Sequence, residues 1–377
     1  MLRPLISTVA VLLLAACASG TSQPGAAVPA TKLTGPAATP LPGWRVTPGQ
    51  FVSLRFAPRD EQTSGPEGFL EVALNNVRNG ALVRRLLPAT TGSGLAVTGL
   101  ALDRSGNLWI TYSKGPAYGG DVAGGDPRPD TCANEIDVVH AGTGRVTVFL
   151  RTGDNVLISG ATPSPDGQRL VYTESACTGY LDSYLRVTDL GTGRSWTIGQ
   201  QLPDCHLLSG PAWSADARTL LVTYGPSSQA ASSGPSGVCS QWWAGRLVQA
   251  DSGAGQPALA GRTVRADPGC QITSVAGTAG GGVLAIEGCG TAPEYLDGPA
   301  RLLVLSGSRI TTRLAIGDCD DGGQIAVSHG GTSALFSVYT SCGAKSTRLW
   351  QYHDGTLRPV ASIAGDTAGA SMLTWIS

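Results

Sequence analysis

The sequence predicts an all-β protein: a six-bladed β-propeller with four-stranded blades, its ring closed by the C-terminal strand pairing into the N-terminal blade. Three observations lead there. Glycine is abundant, at 52 of 377 residues, and charged residues are scarce, at 14%. Beyond the N-terminal segment no stretch sustains a helical apolar period; short apolar or alternating runs broken by Gly, Asp and Pro prevail. One strand, turn, strand frame also returns at intervals of roughly 50 to 60 residues.

The frame is clearest where Gly99 to Tyr112 aligns with Gly160 to Thr173, each crossing a Gly-containing turn into an apolar strand. It returns from Gly210 to Thr223, with Ala217 where the turn glycine belongs, then around Gly280-Gly281 and around Gly330-Gly331, where Gln324 to Val327 opens the unit. A second hairpin follows each copy, as in Leu185 to Asp189, the turn Gly191-Thr192-Gly193, and Ser195 to Ile198. Four strands per unit is a blade. Five complete units occupy residues 97 to 363, and the chain ends on Ser371 to Ser377, which matches a first strand with nothing after it. Residues 45 to 88 offer strands at Phe51 to Phe56, Phe69 to Leu74 and Ala81 to Leu87 but no first strand. Joining the two ends completes the sixth blade and removes exposed sheet edges.

The N-terminus reads differently. Arg3 precedes an apolar run from Leu5 to Ala16, too short to span a bilayer and of secretory-signal length. Leu14-Ala15-Ala16-Cys17 resembles the lipobox of bacterial lipoproteins, which implies cleavage after residue 16 and lipidation of Cys17. Residues 17 to 43 form a Pro/Gly/Ala/Ser/Thr tether without enough apolar surface to fold, and residues 44 to 377 form the propeller domain. The expected location is the outer face of the cytoplasmic membrane of a high-GC Gram-positive bacterium. Lys32, Lys114 and Lys345 are the only lysines, a bias that fits a GC-rich genome. A net charge of -1 gives no electrostatic case for nucleic acid. Pro163 to Thr173 looks like the WD40-like repeat of TolB-type propellers, whereas the Gly99 unit is more similar to an NHL or gluconolactonase-type blade. Such repeats specify turns and core strands, and fold does not decide function.

Without Cys17, eight cysteines remain, an even set that reads as disulfides in an exported protein. Cys205, Cys270 and Cys319 precede first strands, and Cys239, Cys289 and Cys342 follow the second strands of the same blades. Those loops share one propeller face, so the expected pairs are Cys205 to Cys239, Cys270 to Cys289 and Cys319 to Cys342, with Cys132 to Cys177 between neighbouring blades. No CxxC or HxxxH spacing suggests zinc, and no metal or other cofactor is expected. No G-x-S-x-G elbow exists, the four histidines are scattered, and no catalytic set is assigned. Trp242 and Trp243 are placed at the opening of a third strand, and Asp318 to Asp321 in a solvated acidic turn. Long second-to-third-strand loops at Lys114 to Asn134 and Pro226 to Val238 suggest a recognition surface. Candidate ligand contacts around that face are Tyr118, Asp130, Tyr180, His206, Asp320 and Asp321. The expectation is a monomeric, non-catalytic binding module of the cell envelope, held by membrane lipid through Cys17 and taking a protein or peptide partner. The alternative is a lactonase- or cyclase-like propeller enzyme with metal or carboxylates in the central channel.

Overall fold

A computed structural model describes residues 46–47, 49–56, 70–87, 95–114, 133–152, 156–176, 184–198, 206–226, 246–253, 261–290, 298–317, 320–321, 324–328, 330–340, 346–364 and 373–376. The closing blade holds β1 (Gln50–Phe56), β2 (Leu70–Asn76) and β3 (Leu82–Leu87). Blade 1 follows with β4 (Leu95–Leu102), β5 (Leu108–Lys114), β6 (Ala133–Val139) and β7 (Val146–Arg151). Blade 2 contains β8 (Val156–Pro163), β9 (Arg169–Ala176), β10 (Tyr184–Asp189) and β11 (Ser195–Ile198). Blade 3 contains β12 (His206–Trp213), β13 (Thr219–Pro226), β14 (Arg246–Asp251) and β15 (Gly261–Arg265). Blade 4 contains β16 (Cys270–Gly277), β17 (Gly282–Cys289), β18 (Ala300–Ser306) and β19 (Arg309–Gly317). Blade 5 contains β20 (Asp320–Asp321), β21 (Ile325–Val327), β22 (Ser333–Thr340), β23 (Ser346–His353) and β24 (Thr356–Ala364). The chain ends on β25 (Leu373–Ile376), which pairs antiparallel with β1, Trp375 opposite Phe51, as the first strand of the closing blade. Six antiparallel sheets, each next to the following one, make a closed six-bladed propeller.

The second strand of each blade explains its own sequence. Residues on a strand point alternately to the two sheet faces, and here both faces meet another blade. On β17, Leu284 and Ile286 pack toward Phe336 and Val338 of blade 5, while Val283 and Ala285 pack toward Leu221 and Leu247 of blade 3. On β9, Leu170 and Tyr172 face Trp109 of blade 1 while Val171 faces Trp213 and Leu220 of blade 3. Such strands read as continuous apolar runs because neither face is wet. The outermost strands show the reverse: β15 buries only Val264 among Gly261 to Arg265. Six apolar clusters occupy the six seams between neighbouring blades, including those joining Phe51 to Leu335 and Val52 to Leu108 across the closing blade. Full burial of one such Leu or Phe side chain contributes roughly 1.5 to 3 kcal/mol, and the seams repeat that gain around the ring.

First-strand irregularities recur at one level. The register with the second strand shifts between Val97 and Gly99, Ser159 and Thr162, Ser209 and Ala212, and Ile272 and Ser274. Neighbouring first strands nearly touch there: a Cβ on Gly99 would lie 3.0 Å from the Gly160 backbone and from Thr111 Oγ1, so any side chain would push the neighbouring strand away. Blade 5 departs most, because β20 and β21 pair separately with β22. The sequence reading began this unit at Gln324 and placed Asp320 and Asp321 in a turn; they instead pair with Thr340 and Tyr339. Trp242 and Trp243 lie outside the described residues, and β14 begins at Arg246.

The turns between first and second strands of blades 2 and 3 share one hydrogen-bond pattern. Ser164 Oγ donates to Asp166 Oδ1 (2.5 Å) and accepts the Arg169 amide (2.9 Å). Ser214, Asp216 and Thr219 repeat those bonds at 2.5 and 2.9 Å. The third turn position is left-handed throughout: Gly106 at φ 77°, Gly167 at 71°, Ala217 at 58° and Gly331 at 69°.

Candidate functional site

The two ends of the ring carry different chemistry. Loops before first strands and after second strands emerge at one end, called here the cysteine end. There Cys270 and Cys289 lie directly opposite on β16 and β17, with Cα atoms 4.0 Å apart, and are joined by a disulfide. Cys132, Cys177, Cys205, Cys239, Cys319 and Cys342, and with them the other expected pairs, lie outside the described residues, as do Cys17, Tyr118, Asp130 and Tyr180. His206 begins β12 and Asp320 begins β20, so with Cys270 they hold equivalent first positions on three consecutive first strands; Asp321 follows Asp320 in β20.

Beside the disulfide is a charged group that the sequence reading did not single out. Glu287, fully buried on β17, accepts the Asp267 amide through Oε1 (2.9 Å). Arg301 Nη1 on β18 reaches Asp267 Oδ2 at 2.9 Å and Glu287 Oε2 at 3.4 Å, and Arg313 Nη2 on β19 donates to Asp267 Oδ1 at 2.9 Å. The network ties all four strands of blade 4, through the residue three before β16. A buried carboxylate without such partners would cost several kcal/mol of desolvation. Its signal was present: Glu287 interrupts the apolar run Val283 to Ile286, where a strand buried on both faces should admit no charge. Glu287 Oε and the two sulfurs lie within 4.8 Å of one another, a donor set that could hold a metal only with the disulfide reduced.

Other blades place smaller ion pairs at the same end. Arg151 Nε donates to Glu135 Oε2 (2.8 Å), and Arg186 Nε to Glu174 Oε2 (2.8 Å). Burial, then Glu174, pushes the Tyr184 hydroxyl up to about 12. Tyr172 is raised further, by burial and then Glu174, and Tyr112 by burial and then Asp137. These phenols stay neutral; Tyr172 bonds with Thr188, and Tyr184 with Glu174.

The opposite end, called the turn end, stitches different blades together. Trp213 Nε1 of blade 3 donates to the Thr162 carbonyl of blade 2 (2.9 Å), and Trp196 Nε1 of blade 2 donates to the Ser252 carbonyl of blade 3 (3.2 Å). Arg169 Nη1 donates to Ser252 Oγ (2.7 Å), Nη2 donates to the Ala217 carbonyl, and the guanidinium lies 5.0 Å from the Trp213 ring centroid. Gln249 Nε2 bonds the Gly307 carbonyl of blade 4 (2.7 Å), and the Ala279 amide bonds the Gly331 carbonyl of blade 5 (3.0 Å).

No family model matches this sequence, and no curated protein does. Solved structures are similar in chain path. A protein of unknown function from Bacteroides caccae is 12% identical, with 86% of this chain and 98% of that chain covered and a TM-score of 0.48. A puromycin-hydrolyzing peptidase from Mycobacterium tuberculosis is 14% identical over 83% of this chain and 46% of its own, with a TM-score of 0.47. An oligogalacturonate lyase in complex with manganese is 13% identical over 84% of this chain and 75% of its own, with a TM-score of 0.42. The six sheets, rather than these likenesses, establish the fold.

Proposed function

We propose that the chain is an extracytoplasmic lipoprotein, anchored through Cys17, whose propeller is a non-catalytic module that binds a protein or peptide partner of the cell envelope at the cysteine end. The supporting observation is the bracing of that end of blade 4, where a cross-strand disulfide and the Glu287, Asp267, Arg301 and Arg313 network hold the strand ends from which loops depart. Rigid strand ends let loops recognise a partner without first ordering their bases. The lipobox-like Leu14 to Cys17 supplies the anchoring half of the proposal.

The anchor is tested by Cys17→Ser, which should move the protein from the membrane to the soluble fraction with loss of lipid mass. An unchanged mass and fractionation would overturn it. The binding end is tested by photo-crosslinking in cells from probes at exposed Pro268 and Pro299, compared with a probe at exposed Thr192 of the turn end. One partner band from the first two sites, lost when residues 115–125 and 227–237 are deleted, is expected. A partner captured only from Thr192 would overturn the cysteine-end assignment, and lactone or peptide turnover by the purified chain with stoichiometric metal would replace this reading with the enzyme alternative.

A further inference from the structure

At the turn end, residues of blade 3 together with Arg169 of blade 2 line an open crevice of about 600 Å³. Its size suits a small ligand. Its charge is lopsided: Arg169, Arg218 and Arg262 line it against the single carboxylate Asp251, with Gln249 and Ser252 as neutral polar groups.

The three guanidinium groups are not equivalent. Arg169 is fixed by Ser252 Oγ, the Ala217 carbonyl and the face of Trp213. Ser252 is itself buried, and its Oγ donates to the Arg218 carbonyl (2.8 Å). Two of the five N–H donors of Arg169 are thus committed, and its orientation is set before any ligand arrives. Arg218 and Arg262 are exposed and make no ion pair or side-chain hydrogen bond among the described residues. The surrounding carboxylates are turned into their own loops. Asp251 Oδ1 takes the Gly253 amide (2.8 Å), Asp189 Oδ1 the Thr192 amide (2.7 Å), and Asp216 Oδ1 the Ser214 hydroxyl and the Arg218 amide. Asp166 Oδ1 takes the Ser164 hydroxyl and the Gln168 amide, and its Oδ2 stands 3.9 Å from Arg169 Nη2.

We infer that this crevice is a binding site for a doubly charged tetrahedral oxyanion, the phosphate or sulfate terminus of a polar ligand. One oriented guanidinium and two exposed ones line the crevice and offer donors to the several acceptor edges of such a group. The site is on the opposite end from the proposed partner surface and does not depend on that proposal. The terminus could belong to a free molecule or to a lipid head group, and the chemistry is the same.

The test titrates the full-length chain with inorganic phosphate and sulfate by calorimetry at low salt. Saturable binding that weakens as sodium chloride is added is expected. Arg218→Gln with Arg262→Gln should lower affinity at least about tenfold, since charge-assisted hydrogen bonds to the anion are lost. Its melting temperature should match that of the parent. Asp251→Asn keeps the acceptor for the Gly253 amide and removes the opposing charge, so it should tighten binding by about threefold or more. Co-sedimentation with phosphatidic acid vesicles but not phosphatidylcholine vesicles, lost in the double variant, would assign a lipid source; phosphate binding without vesicle binding would assign a free one. The inference is overturned by the absence of saturable binding to either anion, by a double variant with parental affinity, or by Asp251→Asn leaving affinity unchanged.

Discussion

The cysteine end of blade 4 and the turn end of blades 2 and 3 solve different problems. At the cysteine end the constraints stay within one blade: the disulfide links partners already paired in register, and Arg301 and Arg313 close on acids from the same sheet. At the turn end the constraints run across seams, from Arg169 and Trp196 to Ser252 and from Trp213 to Thr162. The difference teaches where this fold needs each kind of bond. Tight turns keep adjacent blades close enough for side chains to bridge them. Where loops depart, the strand ends of a blade must instead be held to each other.

The largest expected effect removes the covalent brace. Replacing Cys270 and Cys289 by Ser releases a crosslink spanning 19 residues. It should cost about 3 kcal/mol by the chain-entropy relation. Hydrogen exchange should rise at the ends of β16 and β17 while Trp213 and Ser252 stay protected. Equal loosening at both ends would show that the two are one cooperative unit. The second effect loosens the seam: Ser252→Ala removes the hydroxyl that accepts from Arg169 Nη1 and donates to the Arg218 carbonyl, for a cost of about 2 kcal/mol. Here exchange should rise in blades 2 and 3 together, which a merely local contact would not cause.

The two ends should also fail at opposite extremes of pH. Toward the cysteine end, Tyr172 and Tyr184 have raised folded-state values, caused first by burial and then by Glu174. The folded chain therefore holds protons that the unfolded chain releases; this stability is complete below about pH 10 and is lost as pH rises through the folded values. At the turn end, Asp189 is lowered first by the Thr192 amide and Asp216 first by the Ser214 hydroxyl. Their contribution is present above the ordinary carboxylate range and is lost as pH falls through the lowered values. Melting curves should decline less steeply in alkali for Tyr172→Phe, and less steeply in acid for Asp216→Asn. A parental slope in either variant would remove that residue from the account.

The sequence made the blades legible because their second strands are buried on both faces and their turns repeat one left-handed position. Val283 to Ile286 and Leu220 to Thr223 could hardly be read otherwise. The closing of the ring by Leu373 to Ile376 followed from counting strands. The split between β20 and β21 was not legible, since Asp320 and Asp321 look like turn residues until Thr340 and Tyr339 are placed beside them. The Ser252 junction was equally hidden, as its partners Arg169, Trp196 and Arg218 come from separate turns and only the closed ring brings them together. Glu287 could have been found, because a carboxylate in a doubly buried strand demands a partner.

The smallest effect separates backbone strain from burial within the repeated turn. Gly167 and Ala217 hold the same position in blades 2 and 3, both left-handed, at φ 71° and 58°. A non-glycine residue in that region costs roughly 1 to 2 kcal/mol, and glycine loses up to about 1 kcal/mol in extra chain entropy on folding. The side chains differ in surroundings: Gly167 is exposed, whereas Ala217 is 1% exposed. A Cβ on Gly167 would gain only ordinary contact with Arg104 Cδ at 3.5 Å, so Gly167→Ala should destabilise by about 1 kcal/mol. In Ala217→Gly the relief of strain is opposed by the loss of a buried methyl group, about 0.8 kcal/mol, and stability should move by less than about 0.5 kcal/mol. Chemical denaturation of both variants checks the pair. Should Ala217→Gly stabilise by a full 1 kcal/mol or so, the methyl group contributes no packing, and blade 3 carries strain that its neighbour avoids.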